Sequence, residues 1–249
     1  MSNIVKTEEE IQTIRESAKI LANVIKELEK MIKPGITTLE LDRAAEALIL
    51  SMGATPAFKN YNNFPYALCA SVNEIVVHGY PSNYVLKEGD IIGLDLGVLY
   101  KGYYSDSAVT VAVGKVSYEA KKLIDTTKKA LEIGIKQVKA GNTLGDIGSA
   151  IQKYAEGKGF GVVRDLCGHG IGKDLHEDPQ ILNYGKKGTG PKLVEGMVIC
   201  IEPMLTAGDW KIKKAKDGYG FATKDNSLSA HFEHTIVVAK KGAEILTKI

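Results

Sequence analysis

Cysteine is scarce in this chain, with Cys69, Cys167 and Cys200 among 249 residues. An odd count without tight spacing excludes a disulfide framework. Set among apolar or small neighbours, the three read as buried free thiols in a reducing compartment. No Cys-x-x-Cys pair occurs, which argues against a structural zinc. Net charge is equally scarce, since 32 basic and 30 acidic residues leave +2. That is too little to make nucleic acid or a membrane surface an expected partner, and pairs such as Lys121-Lys122 read as solvated surface. No apolar run is long enough to span a bilayer. The first six residues lead into an acidic helix start without an apolar signal region, so a cytoplasmic location is expected.

What is present is an ordinary globular composition, 44% hydrophobic and 25% charged. It suffices for one large domain or two small ones. Thr7 with Glu10 reads as a capping box. Ile11, Ile14, Ala18, Leu21, Ile25, Leu28 and Ile32 follow at helical spacing, and Pro34-Gly35 ends that helix. Thr37 with Glu40 opens a second helix that runs to about Ser51. Residues 68–78 read as strand, turn, strand, and 90–113 as two strands around Tyr100-Lys101-Gly102. A long helix is expected over 117–139 and a shorter one over 144–157.

Shifted by 106 positions, Lys33, Gly35, Thr37, Leu41, Ala44 and Gly53 fall on Lys139, Gly141, Thr143, Ile147, Ala150 and Gly159. The shared order argues for an internal duplication. The expectation is one domain over 1–249 with related halves at about 4–113 and 117–249. The interleaved elements predict an α+β architecture, with helices covering a curved, largely antiparallel sheet. A cleft between related halves is the natural place for a site.

Four carboxylates and one imidazole stand beside apolar runs. Asp95 sits within Ile91-Ile92-Gly93-Leu94-Asp95-Leu96, where a lone carboxylate needs a partner. Asp106 follows across the hairpin. It faces Asp95 directly if the turn centres on Tyr100-Lys101; a turn at Lys101-Gly102 would call for a bulge. Asp106 also suits a turn edge by its own preference. His169 lies between Gly168 and Gly170, which admit close approach, and His176 follows in the same Gly-rich stretch. Glu202 ends the run Met197–Ile201 and is held extended by Pro203. Glu233 leads into Thr235-Ile236-Val237-Val238, flanked by His231 and His234, which read as supporting or exposed groups. Crowded carboxylates repel and take up protons; two divalent cations relieve this. Hard oxygens with one nitrogen suit Mn²⁺, Fe²⁺, Co²⁺ or Zn²⁺ without choosing among them.

These residues resemble the type I methionine aminopeptidases, through VNEIVVHGYP (72–81), the Asp95–Asp106 spacing, CGHGIG with LHEDPQ (167–180), IEPM (201–204) and SLSAHFEHTIVV (227–238). The resemblance runs from about Ile4 to the C-terminus. It implies the duplicated pita-bread fold as a single catalytic domain and two divalent metal ions. Asp95 would bind one, Asp106 and Glu233 would bridge both, and His169 with Glu202 would complete the other. The implied reaction hydrolyses the first peptide bond of a chain beginning with methionine, through a hydroxide held between the metals. Glu202 would relay the proton, while His78 and His176 would bind the substrate amide and carbonyl. The methionine pocket would be formed by Tyr61, Phe64, Cys69, Leu175 and Tyr219. Phe64, Leu175 and Tyr219 stand where Tyr, Phe and Trp are frequent in bacterial members, and Val77 stands where Cys often precedes the histidine. These changes keep the lining apolar or aromatic and bear on which residues beyond Met it tolerates.

The resemblance also implies nascent-chain substrates and a transient ribosome contact, while the small length and near-neutral charge are consistent with a monomer without nucleic acid or membrane partners. Three rival readings are set against it. A proline dipeptidase of this fold would usually add a sizeable N-terminal domain. A silent binding relative would have lost ligands, and here all five positions are filled. Structural ion pairs would want arginines near the carboxylates, but Arg15, Arg43 and Arg164 fall mostly in helical segments.

Overall fold

The structure is a computed structural model and describes residues 4–248; the ends of the expected domain, 1–3 and 249, lie outside that range. Four helices form where the periodicity places them: α1 Glu8–Met31, α2 Thr38–Ser51, α3 Tyr118–Ile135 and α4 Leu144–Gly157. Each start is chemically capped. Thr7 Oγ1 accepts the Glu10 N–H while the Glu10 carboxylate accepts the Thr7 N–H. Thr37 and Glu40 repeat the exchange, Ser117 caps α3, and Asp146 reaches back to the Thr143 N–H. These reciprocal bonds satisfy donors that a helix N-terminus leaves unpaired. Helix α3 stops at Ile135, four residues short of the expected 139. Its last turn tightens, with Gln137 N–H bonding Gly134 O and Val138 N–H bonding Ile135 O.

Nine strands build one antiparallel sheet: β1 Thr55–Pro56, β2 Cys69–Val72, β3 Ile91–Tyr100, β4 Tyr103–Ala112, β5 Gly168–Gly170, β6 Glu177–Ile181, β7 Val198–Ile201, β8 Glu233–Ala239 and β9 Gly242–Ile245. Their order is β1-β3-β4-β8-β7-β5-β6, with β2 also pairing β3 and β9 also pairing β8. The sheet curls into a half-barrel. Two three-stranded sheets flank it, one of them joining Ile75–Val77 to Phe221–Thr223 and Ile212–Lys214.

Helices α1 and α2 bury Leu21, Leu28, Leu41 and Ile49 against Leu94 and Leu96 of β3. Helices α3 and α4 bury Leu123, Leu131, Ile147 and Ile151 against Ile199, Ile201 and Ile236. Alternation along a strand sends successive side chains to opposite faces. The leucines of β3 therefore face the helices, and Asp95 between them faces away. No helix among the described residues is long and apolar enough to cross a membrane.

Hydrogen bonds recur in the second half, at an offset of 106 for Gly35 and Ile36 and of 107 for Leu86. Gly35 N–H bonds Leu86 O and Leu86 N–H bonds Ile36 O; Gly141 N–H bonds Leu193 O and Leu193 N–H bonds Asn142 O. Gly35 and Gly141 both take left-handed φ, +98° and +93°, which glycine tolerates without a Cβ clash.

Candidate metal centre and its cleft

The β3–β4 hairpin turns on Lys101 and Gly102, with φ of +49° and +82°. Two left-handed central residues match the twist of a tight hairpin. The register is unbroken from Ile91↔Ala112 to Tyr100↔Tyr103. Asp95 therefore pairs with Ala108, and Asp106 with Gly97. Neither direct opposition nor the bulge expected for a Lys101-Gly102 turn occurs. The two carboxylates lie diagonally on one face, across a position where Gly97 has no side chain.

The neighbouring strands continue that face. Glu233 of β8 pairs with Ala108, and His234↔Ile201 places Glu202, one residue past β7, beside Glu233. On β5, Gly170 pairs with Ile199, so His169 alternates onto the same face. Five adjacent strands, β3-β4-β8-β7-β5, thus deliver one side chain each. Oxygens of Asp95, Asp106 and Glu233 lie within 4.8 Å of one another. His169 Nε2 is 3.7 Å from Glu202, 3.9 Å from Asp106 and 3.9 Å from Glu233. His169 Nδ1 lies 2.9 Å from the Gly170 carbonyl. An N–H there donates to that oxygen and leaves the Nε2 lone pair aimed at the carboxylates.

This donor set fits divalent cations. Asp95 Oδ1, Asp106 Oδ1 and Glu233 Oε1 are buried without a hydrogen-bond partner, a costly state for a carboxylate without a countercharge. Burial first, and Glu202 second among the repulsive neighbours, push Asp95 up to about 7 against His231, which favours its charge. Asp106 is raised well above the ordinary range by burial and then by Asp95, and Glu233 by burial and then by Asp106. Arg15 and Arg164 are occupied elsewhere, by Glu244 and Glu156. Cys200 Sγ also lies within reach of His169 and Glu233, but burial and the Glu233 charge hold it as a thiol. All three cysteines are free; Cys69 and Cys200 are buried and Cys167 is half-buried.

A cavity of about 180 Å³ opens onto the centre. Its lining contains every residue expected there: His78, His176, Tyr61, Phe64, Cys69, Leu175 and Tyr219 beside the five ligand candidates. Phe64 and Tyr219 meet edge-on at 5.7 Å, and the Tyr219 hydroxyl donates to Asn63 O. His176 Nδ1 lies 2.8 Å from the Tyr61 hydroxyl, and its ring centroid is 4.4 Å from that of His169. Desolvation, then the neighbouring His169, depress His176 to about 4. His78 is open to solvent on one side, yet enough protein surrounds its ring for desolvation to lower its pKa. It adopts a left-handed φ of +57°, a strained choice for a non-glycine residue that recurs at functional sites.

Two lining residues were not anticipated. Phe58 and Asn62 complete the cavity wall; Asn60, Asn62 and Asn63 all take left-handed φ, which asparagine tolerates better than most. The signal was the asparagine-rich run Lys59–Phe64. Of the two readings for His231, supporting or exposed, the structure gives the first: it is buried, with Nε2 3.4 Å from Glu202 Oε2. Burial opposes its charged form, but Glu202 and Asp95 outweigh it and raise its pKa. His234 points to the opposite face and bonds Thr247.

A curled antiparallel sheet, helices on one face and a carboxylate–histidine cluster on the other define a metallopeptidase class. The chain matches the family model of metallopeptidase family M24 over residues 12–240 and belongs to that family. Within it the chain groups with methionine aminopeptidases. It is 48% identical to the methionine aminopeptidase of Clostridium perfringens over 99% of both chains. It superposes on the crystal structure of the Thermotoga maritima methionine aminopeptidase with a TM-score of 0.98 at 46% identity, covering 100% of each chain. The pita-bread fold is therefore this chain's fold. The prolidase from Pyrococcus furiosus shares it at a TM-score of 0.80 and 26% identity, but this chain spans only 66% of that protein.

Proposed function

We propose that this chain removes the N-terminal methionine from peptides and nascent proteins by hydrolysing the first peptide bond. The observation that carries this reading is a cavity lined by two unlike sets of side chains. One set is Asp95, Asp106, His169, Glu202 and Glu233; the other is Phe64, Cys69, Leu175 and Tyr219. An apolar pocket lined by aromatic rings and sulfur suits a thioether side chain. The cavity volume of about 180 Å³ suits a single side chain, as the first residue of a substrate would present.

Two overlapping donor groups support two cations. Asp95 belongs to one and His169 with Glu202 to the other, while Asp106 and Glu233 stand in both. Divalent ions bound there, as Mn²⁺, Fe²⁺, Co²⁺ or Zn²⁺, supply a water of lowered pKa and a polarised carbonyl. Glu202, set between the His169 and His231 imidazoles, takes the proton of the attacking water and passes it to the leaving amine. His78 and His176 are neutral donors at pH 7 and hydrogen-bond the substrate amide and the developing oxyanion. Tyr61 orients His176 for that task. The acidic cluster attracts the free amino group of the substrate, which favours an exopeptidase.

We further read residues 1–249 as a single catalytic domain of two duplicated halves, about 4–113 and 117–249, acting as a cytoplasmic monomer. Ribosome contact would be transient and would serve substrate delivery. The test is hydrolysis of Met-Ala-Ser, Leu-Ala-Ser and Ala-Pro by Mn²⁺-supplemented protein. Release of the first residue from Met-Ala-Ser alone is expected; cleavage of Ala-Pro instead would assign the site to a prolidase-like reaction.

A further inference from the structure

The turn that carries Leu175 and His176 over the cleft is tied to the N-terminal strap of the chain by a buried ion pair. Lys6 Nζ lies 2.5 Å from Glu177 Oε2; the Lys6 side chain is fully enclosed and that of Glu177 is 13% exposed. The strap itself is fixed by its backbone. Lys6 N–H donates to Gly196 O at 2.9 Å, and Val5 bridges Met197. The other oxygen of Glu177, Oε1, accepts the N–H groups of Lys173 at 2.8 Å and Asp174 at 3.2 Å. One carboxylate therefore closes the turn on itself and locks it to Lys6. Gly172 leaves room for this, since a Cβ there would collide with Lys6 Cε and Glu177 Oε1. Its carbonyl accepts the Tyr104 N–H at 2.8 Å, which ties the same turn to the strand of Asp106.

A buried ion pair is weak evidence for stability, because desolvating both charges offsets most of their attraction. It does define geometry, because the carboxylate must point where its three donors are. The residue it points from is the neighbour of His176. We propose that Lys6, acting through Glu177, is a positioning residue for His176, holding the imidazole against Tyr61 and His169 at the mouth of the cleft. Lys6 is not among the residues lining the cavity, so its effect on the reaction passes through the turn. The kinetic side of this inference rests on the role given to His176 above.

The test uses full-length protein carrying Lys6→Met, and Lys6→Met with Glu177→Gln, in which no unpaired charge is left to unfold the turn. Imidazole NMR signals are read first. The His176 signals should move or broaden in both variants while those of His234, on the opposite face, stay unchanged. In metal-loaded protein, kcat for methionine release should fall about 10–100-fold, the scale of a small misplacement of a reacting group, with metal content unchanged. On a His176→Ala background, Lys6→Met should cost less than about twofold more, because the two act as one unit. Unmoved His176 signals in the folded double variant would overturn the proposal, as would a full additional loss on the His176→Ala background. An inactive wild-type protein whose His176 still shifts on Lys6→Met would instead fault the methionine reading.

Discussion

Thr235 clasps Asp106 through both of its backbone polar groups. Thr235 Oγ1 donates to Asp106 O at 2.7 Å and accepts the Asp106 N–H at 2.9 Å. Strands β4 and β8 pair directly only at Glu233↔Ala108 and His234↔Ser107. The next step along the strands, where Asp106 stands, is made by a hydroxyl. The spacing between the Asp106 and Glu233 carboxylates thus depends on one side chain that touches neither carboxylate.

Thr235→Val keeps the shape and removes the clasp. Two buried backbone groups are left unpaired, at about 1–3 kcal/mol each. Metal affinity should fall about 10–100-fold, as when a supporting group behind a ligand is lost. Urea unfolding and calorimetric metal titration measure the two effects, and an unchanged affinity would detach the clasp from the site.

Metal-free protein should lose stability as pH rises. Asp95 sits at about 7 in the fold against an ordinary 3.8, and Asp106 and Glu233 are raised as well, by burial and by neighbouring carboxylates. The folded state therefore binds more protons than the unfolded state above pH 4. Stability from Asp95 is fully present below its unfolded pKa and is lost as pH climbs through about 7, by on the order of 4 kcal/mol. Thermal melting of chelated protein across this window gives the sign. Bound divalent metal should abolish the trend.

Asp106→Asn should act in opposite directions with and without metal. It relieves repulsion in the chelated protein, so the melting temperature rises. It removes the charge shared by both donor groups, so turnover in metal-replete buffer falls by several orders of magnitude. Near-normal turnover would contradict the shared role.

His78→Ala should lower kcat by about 10²-fold, the scale of losing one oxyanion donor, and leave metal content unchanged. Elemental analysis beside steady-state kinetics separates the two. Loss of metal from this variant would place His78 in the wrong role.

Much of this was legible in the chain because the signals are local. Capping pairs and apolar spacing placed α1 and α2. Asp95, Glu202 and Glu233 sat within or beside apolar runs, and His169 was marked by its flanking glycines. The hairpin register was harder. A constant-sum rule matched Asp95 with Asp106, but Lys101 accepts a left-handed φ beside Gly102, and this moves the turn centre by one residue and the pairing to a diagonal. Contacts across great sequence distance left no local trace. Lys6 and Glu177 lie 171 residues apart, and the burial of His231 follows from its neighbours on other strands. The early end of α3 was missed because residues 136–139 continue a helix-compatible composition after Gly134, against which Ile151 of α4 packs.

The most direct measurement is anomalous X-ray diffraction from crystals grown with Mn²⁺. The account predicts two peaks flanking the Asp106 and Glu233 carboxylates, one also reaching Asp95 and the other reaching His169 and Glu202, with both lost in Glu233→Ala. A map with no peak among these five residues, or peaks that survive Glu233→Ala unchanged, would contradict it.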